Sequence, residues 1–286
     1  MALFRIHFDG AITVDHKVSV RVLANTYEHM QRAIDRAYLM EVHGQVWKYA
    51  RLKGEQYAAT EFVAEYPREG GIILDAVRDG AEGIIDRIAS AVLPVFEKAI
   101  EEGGQYGASL AEQYAQRVQY VSEMGNATQS FESLLADPPE SWARAYSNRS
   151  IVKEIDPLVG VIRRSEENIA DLSLVGSRVY PQLRFTPRIA AKFHAIAAER
   201  MLGPALIISA RIRTLDRGNK RVMPSAKIEN LATGREVTLH MHERADFDDL
   251  HPLHDGREIK IFASPVMEAL GFDLYGGDLV YLDAVG

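Results

Sequence analysis

Beyond Gly203-Pro204 the chain stops reading as helix and becomes a series of short alternating runs. Five of them follow, at 205–216, 222–230, 236–243, 257–263 and 278–284. Turn residues separate them: Arg217-Gly218-Asn219, Thr233-Gly234, Asp255-Gly256 and Gly276-Gly277. A sheet edge carries unpaired backbone groups, and evenly spaced short strands satisfy them by closing on one another. The spacing therefore predicts a small, closed or nearly closed barrel. Ser264-Pro265 reads as the start of a helical turn, 266–270, that would cover one barrel mouth.

The first 203 residues carry longer periods. At 3–8, Phe4, Ile6 and Phe8 alternate with Arg5 and His7, the pattern of a strand with one buried face. Asp9-Gly10 is a hairpin-turn signal, with 11–14 as its return strand. Leu23, Tyr27, Met30, Ile34 and Tyr38 form a helical stripe, which predicts a helix over 19–41 with Gly44 permitting its end. Further helical turns are expected around Val46, Tyr49 and Ala50, then a strand at 57–66, a turn at Pro67 to Gly71 and a partner strand at 72–77. In 81–102, Ile84, Ile88, Val92, Val95, Phe96 and Ile100 lie on one helical face, and Pro94 predicts a kink or break. Gly103-Gly104 ends that pattern, and 109–124 resumes it, so the two longer helices are expected to form an antiparallel hairpin. Shorter helices are expected at 130–136 and 139–146, and Asp156-Pro157 reads as a helix start. Strands at 169–175 and 178–185 precede a helix at 188–202 that opens on Thr186-Pro187. Together these give an α+β fold: residues 1–203 as a small sheet with helices and a helical extension, and 204–286 as a five-stranded β-barrel.

Composition narrows the chemistry. The chain has no cysteine, which excludes disulfides, thiolate nucleophiles and cysteine-based metal sites and fits a reducing, cytoplasmic setting. The N-terminus has no basic start followed by an apolar stretch, so no secretory signal is expected, and the charges along 81–102 argue against a membrane span. The net charge of −7 weighs against chain-wide binding to nucleic acid while leaving local basic patches open.

The ending ISARIRTLD, GREVTLHMHE, GREIKIFASPVMEALG and GDLVYLDAV resembles the five-stranded barrel that closes a group of two-domain bacterial proteins of unknown function. The front, with FRIHFDG, LANTYEHMQRAIDRA and REGGIILDAV, is similar to the α/β domain that opens them. The resemblance implies an architecture and brings no catalytic residues with it.

Two clusters could carry chemistry. Arg211, Arg213, Arg217, Lys220, Arg221 and Lys227 fall in the first barrel hairpin with Asp216 as the one acid among them, a candidate contact to nucleic-acid phosphates. A row of exposed aromatics for base stacking is missing there, and a solvated hairpin is the plainer reading. His240, His242, His251 and His254, with Asp246, Asp248 and Asp249, could ligate a metal, since His240 and His242 share a strand face. Here the plainer reading is a polar strand face followed by a polar loop. Trp47 and Trp142 read as core anchors. No GxSxG or GxxxxGK motif occurs. The expected function is a non-enzymatic binding or scaffold protein without cofactors, which assembles with itself or another protein through its apolar helix stripes. A nucleic-acid-binding barrel is the first alternative and a metal-dependent hydrolase at the His/Asp cluster the second.

Overall fold

The computed structural model describes residues 1–285 apart from positions 14, 16, 66–71, 102–107, 180 and 270. In chain order the elements are β1 (Ala2–Asp9), α1 (Val20–His43), α2 (Gln56–Thr60), β2 (Val63–Ala64), β3 (Ile72–Arg78), α3 (Glu82–Ile100), α4 (Leu110–Met124), α5 (Phe131–Ala136) and α6 (Glu140–Gly160). There follow β4 (Ile169–Val175), β5 (Gln182–Phe185), α7 (Pro187–Ala197), β6 (Arg200–Leu202), β7 (Leu206–Asp216), β8 (Ser225–Asn230), β9 (Arg235–His240), α8 (Ala245–Leu250), β10 (Ile259–Glu268) and β11 (Leu279–Ala284). The chain forms two compact units, each discontinuous in sequence. Unit 1 comprises 1–46, 50–105 and 146–199, and unit 2 comprises 47–49, 106–145 and 200–286. The sequence placed one boundary, at 203/204, whereas these contacts assign 106–145 to the same unit as the barrel strands.

Unit 1 is a five-stranded sheet in the order β2-β3-β1-β4-β5. β1 lies at its centre because Phe4, Ile6 and Phe8 are wholly buried on one face, where α1, α3 and α7 supply the facing stripes. The hairpin expected after Asp9 does not form: β1 pairs antiparallel with β3 and β4. Residues 10–13 make a tight turn instead, closed by Thr13 N–H donating to the Gly10 carbonyl at 3.0 Å. α1 begins at Ser19, whose hydroxyl accepts the Val22 N–H, and ends at Gly44. No helix forms at 46–50, and the strand expected at 57–66 is α2 followed by the two-residue β2. The glycine turns at 70–71 and 103–104 lie outside the described residues.

α3 buries Ile84, Ile88 and Val92 and runs unbroken through Pro94. Pro94 has no N–H to offer the Ser90 carbonyl, and both residues are exposed, where solvent can reach an unpaired backbone group. α3 packs on α7 and α1, whereas α4 packs on β11 and β6, so the helical hairpin expected of α3 and α4 is not formed as one unit. Asp156-Pro157 is not a helix start: α6 begins at Glu140 and continues through Pro157. α7 opens on Thr186-Pro187 as expected but stops at Ala197, and 200–202 form β6.

The opposite face of the sheet presents two polar rows. Register aligns Asp75, Arg5, Ser173 and Gln182 in one row and Ile73, His7, Asp171 and Arg184 in the next. The Arg5 guanidinium donates to both Asp75 oxygens at 2.7 and 2.8 Å, and the Asp75 side chain is 2% exposed. His7 Nδ1 lies 3.6 Å from Asp171.

Unit 2 holds the closed five-stranded barrel. β7, β8 and β9 form consecutive antiparallel pairs, β10 returns beside β7, and β11 closes the ring between β10 and β9. β9 and β11 run parallel, with Leu239 opposite Leu279 and His240 opposite Val280. β10 beside β7-β8-β9 is the Greek-key order. The predicted helical turn after Ser264-Pro265 is strand, because Val266, Met267 and Glu268 pair with Leu202, Met201 and Arg200 of β6. The barrel's own helix is α8, between the third and fourth barrel strands, in a stretch the sequence read as polar loop. α4 opens on a capping box in which Ser109 and Glu112 bond each other's backbone N–H, and its Val121 packs with Phe262 and Leu282. Trp142 stacks edge-on against Phe272 at 6.1 Å, one of the two tryptophans expected as anchors.

Tyr281 is 1% exposed and its hydroxyl has no hydrogen-bond partner among the described residues. A buried unpaired hydroxyl costs about 1 kcal/mol or more, so Tyr281→Phe should raise stability by about 1 kcal/mol, read as a higher Tm. Among the described residues no helix is long and apolar enough to cross a membrane.

Candidate functional site

The β7–β8 hairpin places the six predicted basic residues in different surroundings. The pairing of β7 with β8 shifts register between Ile212 and Thr214, which makes Arg213 a bulge residue. Arg211 and Arg213 both reach the Glu229 carboxylate, Arg211 at 3.2 Å. Two guanidiniums on one carboxylate leave one net positive charge in this cluster. Lys227 Nζ donates to the Thr238 hydroxyl at 2.8 Å on the same outer face. Arg217 stands 5.6 Å from the Phe247 ring and 3.9 Å from Asp248. Lys220 and Arg221 occupy the exposed tip and make no ion pair among the described residues. Asn219 shapes that tip: its side chain accepts the Arg221 N–H and its carbonyl accepts the Arg244 guanidinium at 2.6 Å.

The four histidines do not converge. His240 Nε2 lies 3.7 Å from Asp278, His242 stacks on the Tyr114 ring at 4.2 Å, and His251 faces Phe247 at 5.6 Å. His254 ends the short 3-10 turn after α8. Among the described residues no group of three or more His, Asp or Glu stands where it could hold a metal ion. The shared strand face suggested by spacing is lost because β9 ends at His240, and His242 belongs to the turn that enters α8. Asp246 serves that turn, its carboxylate accepting the N–H groups of His242 and Glu243 at 2.9 and 3.0 Å. Burial raises its pKa and these two bonds oppose the rise. Burial likewise pushes the neighbouring Tyr114 phenol up to about 12, with Asp246 adding to it.

Residues that sequence reasoning missed complete the site. Asp273, 4% exposed, accepts the Lys48 N–H at 2.7 Å and the Tyr275 N–H at 3.0 Å, so one buried carboxylate ties 47–49 to the loop 269–278. Lys48 Nζ bonds Asp278 at 2.8 Å and lies 5.8 Å from the Tyr49 ring. At the other end of β9 the Arg235 guanidinium stands 6.0 Å from the Tyr275 ring. Tyr49 is 64% exposed and Tyr275 37%. The loop 269–278 thus touches β9 at Arg235 and again at His240. Between these points the outer face of β8–β9 presents Ser225, Lys227 and Glu229 opposite His240, Thr238 and Glu236, and Arg235 stands one position out of phase with that face. β9 spans about 17 Å at the usual rise per residue, so the two tyrosine–cation pairs stand near its opposite ends and flank this mixed face of Lys227, His240, Glu229 and Glu236. The hairpin tip continues it, because Asp216, Ser225 and His240 are aligned in register. No short-range signal announces this arrangement, since 225 positions separate Lys48 from Asp273.

Burial raises the pKa of Asp278, but the Lys48 ammonium and the His240 imidazole outweigh it and hold the carboxyl far below its usual range. A depressed carboxylate contributes stability above the unfolded value of about 4 and loses it as pH falls through the folded one. Unit 2 should therefore lose stability below about pH 4, and Asp278→Asn should flatten that acid limb of a Tm-against-pH profile.

The fold and site define a two-unit α+β chain whose second unit is a closed five-stranded Greek-key barrel. Compared with protein-family models, with curated proteins and with solved structures, the chain matches none.

Proposed function

We propose that this is a cytoplasmic, non-enzymatic binding protein whose barrel takes single-stranded nucleic acid along β9. The observation that carries the reading is the pair of exposed tyrosines, Tyr49 and Tyr275, each beside a cation near one end of β9, where they flank the face of the second and third barrel strands. Five-stranded Greek-key barrels of the oligonucleotide-binding type use that face together with the loops joining the first to the second strand and the fourth to the fifth. In this barrel those loops are 217–224, with Lys220 and Arg221, and 269–278, with Tyr275. Aromatic rings stack on any base and cations track the backbone, so the combination suits a single strand read with little sequence preference. Fold-level analogy sets the prior, and the placement of side chains supplies the argument.

Self-assembly through the helix stripes stands as the alternative, and it rests on the part of them that stays exposed, Ile100 and Leu110. Ile84, Ile88 and Val92 of α3 lie in the core of unit 1, and Val121 of α4 is covered by Phe262 and Leu282.

The test is fluorescence anisotropy with a labelled single-stranded oligonucleotide, a matched duplex and a salt series. Binding should favour the single strand and weaken with salt. Tyr49→Ala and Tyr275→Ala should each weaken it by about tenfold, within the range of a lost base stack. Lys220→Ala with Arg221→Ala should lower the salt slope by about two. Arg211→Ala with Arg213→Ala should cost less, since Glu229 already occupies both. No binding at low salt, or binding indifferent to both tyrosines, would refute the reading.

A further inference from the structure

Unit 1 contains a cavity of about 590 Å³ that no part of the barrel proposal uses. Its wall is built from the first turn of α1, the end of α6, the 3-10 turn at Val161–Arg164 and the turn after β1. Arg21, Arg163 and Arg164 all line it, and no Asp or Glu does. Among the described residues none of the three has a carboxylate within ion-pair distance. Three unpaired guanidiniums around one concavity repel one another, and an anion would relieve that repulsion.

The frame of the cavity is fixed independently of the arginines. Asn168 is 2% exposed, accepts the Ile12 N–H at 2.8 Å and donates to the Ile162 carbonyl at 3.0 Å. It thereby locks the turn after β1 to the 3-10 turn that carries Arg163 and Arg164. Asn25 of α1 donates to the Pro157 carbonyl at 3.4 Å, which joins the third wall. The Arg163 guanidinium folds back over Gly160, where an added Cβ would stand 2.9 Å from Nη2, and Nε donates to the Gly160 carbonyl at 3.3 Å. A side chain at position 160 would displace it. The start of α1 adds the positive end of a 24-residue helix to the same wall.

From this geometry we infer that the cavity binds a phosphorylated small molecule, its phosphate among the three arginines. Guanidinium forks match phosphate oxygens in pairs, which a point charge cannot do. The volume lies within the range of small-molecule sites and leaves room for more than a bare phosphate. The site is separate from β9, so failure of one proposal leaves the other standing.

Isothermal titration calorimetry on the full chain tests it with inorganic phosphate, pyrophosphate, a nucleoside 5′-monophosphate, the parent nucleoside and succinate. The phosphate compounds should bind, the monophosphate more tightly than phosphate, and the nucleoside should not. Arg163→Ala with Arg164→Ala should weaken binding by about a hundredfold, in line with about tenfold for each lost charged contact. Gly160→Ala keeps every charge and should weaken it several-fold by moving Arg163, and circular dichroism would verify that both variants fold. Absence of binding by all phosphate compounds would overturn the inference. So would unchanged affinity in the folded double variant, or succinate binding as tightly as pyrophosphate.

Discussion

Gly10→Ala should destabilise unit 1 by about 3 kcal/mol, the sum of a strained backbone and a forced separation. Gly10 has φ +90, a region an L side chain enters at a cost. A Cβ there would also lie 2.1 Å from the Glu167 carbonyl oxygen and 2.9 Å from Asn168 Cα, and both are backbone atoms with no rotamer to yield. Relief requires the turn after β1 to lift away from 167–168, which breaks the bond from Ile12 N–H to Asn168 at 2.8 Å. Gly80→Ala is the control: φ is +73 but nothing lies within 4 Å of the added atom, so about 1 kcal/mol of backbone strain is all it should show. Urea unfolding of both variants measures the difference, and equal midpoints would show that the close approach at Gly10 carries no cost.

Arg5→Ala should cost a comparable amount, about 3 kcal/mol, because it leaves a buried carboxylate without its guanidinium. Asp75 stands at the middle of β3 with its side chain 2% exposed, and Arg5 reaches both of its oxygens from directly opposite on β1. The bond to Asp75 outweighs burial and raises the pKa of Arg5. Arg5→Lys keeps a charge but offers a single point of contact, and should recover about half of the loss. In Arg5→Ala the buried Asp75 carboxylate loses its opposite charge and gains from taking up a proton, so the stability gap to wild type should narrow as pH falls through the carboxylate range. Thermal melts of the three proteins from neutral to acid pH read this directly. A gap that stays constant with pH would mean that Asp75 is compensated by other groups.

Periodicity made several elements legible. β1, α1, α3, α4, α5 and the start of α7 lie where alternation, stripes and the Thr186-Pro187 signal put them. The five barrel strands were legible too, because turn residues bound each run. What failed were inferences from a local signal to a distant partner. Asp9-Gly10 spells a hairpin, yet β1 finds its partners in 72–78 and 169–175. Ser264-Pro265 spells a helix start, yet β10 continues because β6 lies beside it. Asp156-Pro157 spells a cap, yet α6 is buried along Ile151, Ile155 and Leu158, and that packing outweighs the one donor Pro157 lacks.

The candidate sites divide in the same way. Side-chain type and strand alternation, both properties of neighbouring residues, were enough to find the basic hairpin and the histidines. Whether a cation is free or paired depends on what the fold brings beside it, as Glu229 does for Arg211 and Arg213. The Lys48–Tyr49–Asp273–Tyr275 arrangement and the arginine cavity join segments more than 130 residues apart. The sequence by itself determined the secondary-structure periods and the barrel, because those are written in residues a few positions apart. Only the tertiary structure decided which strands meet, which charges remain unpaired and which aromatic rings face solvent, because burial and long-range contact exist only once the chain has closed on itself.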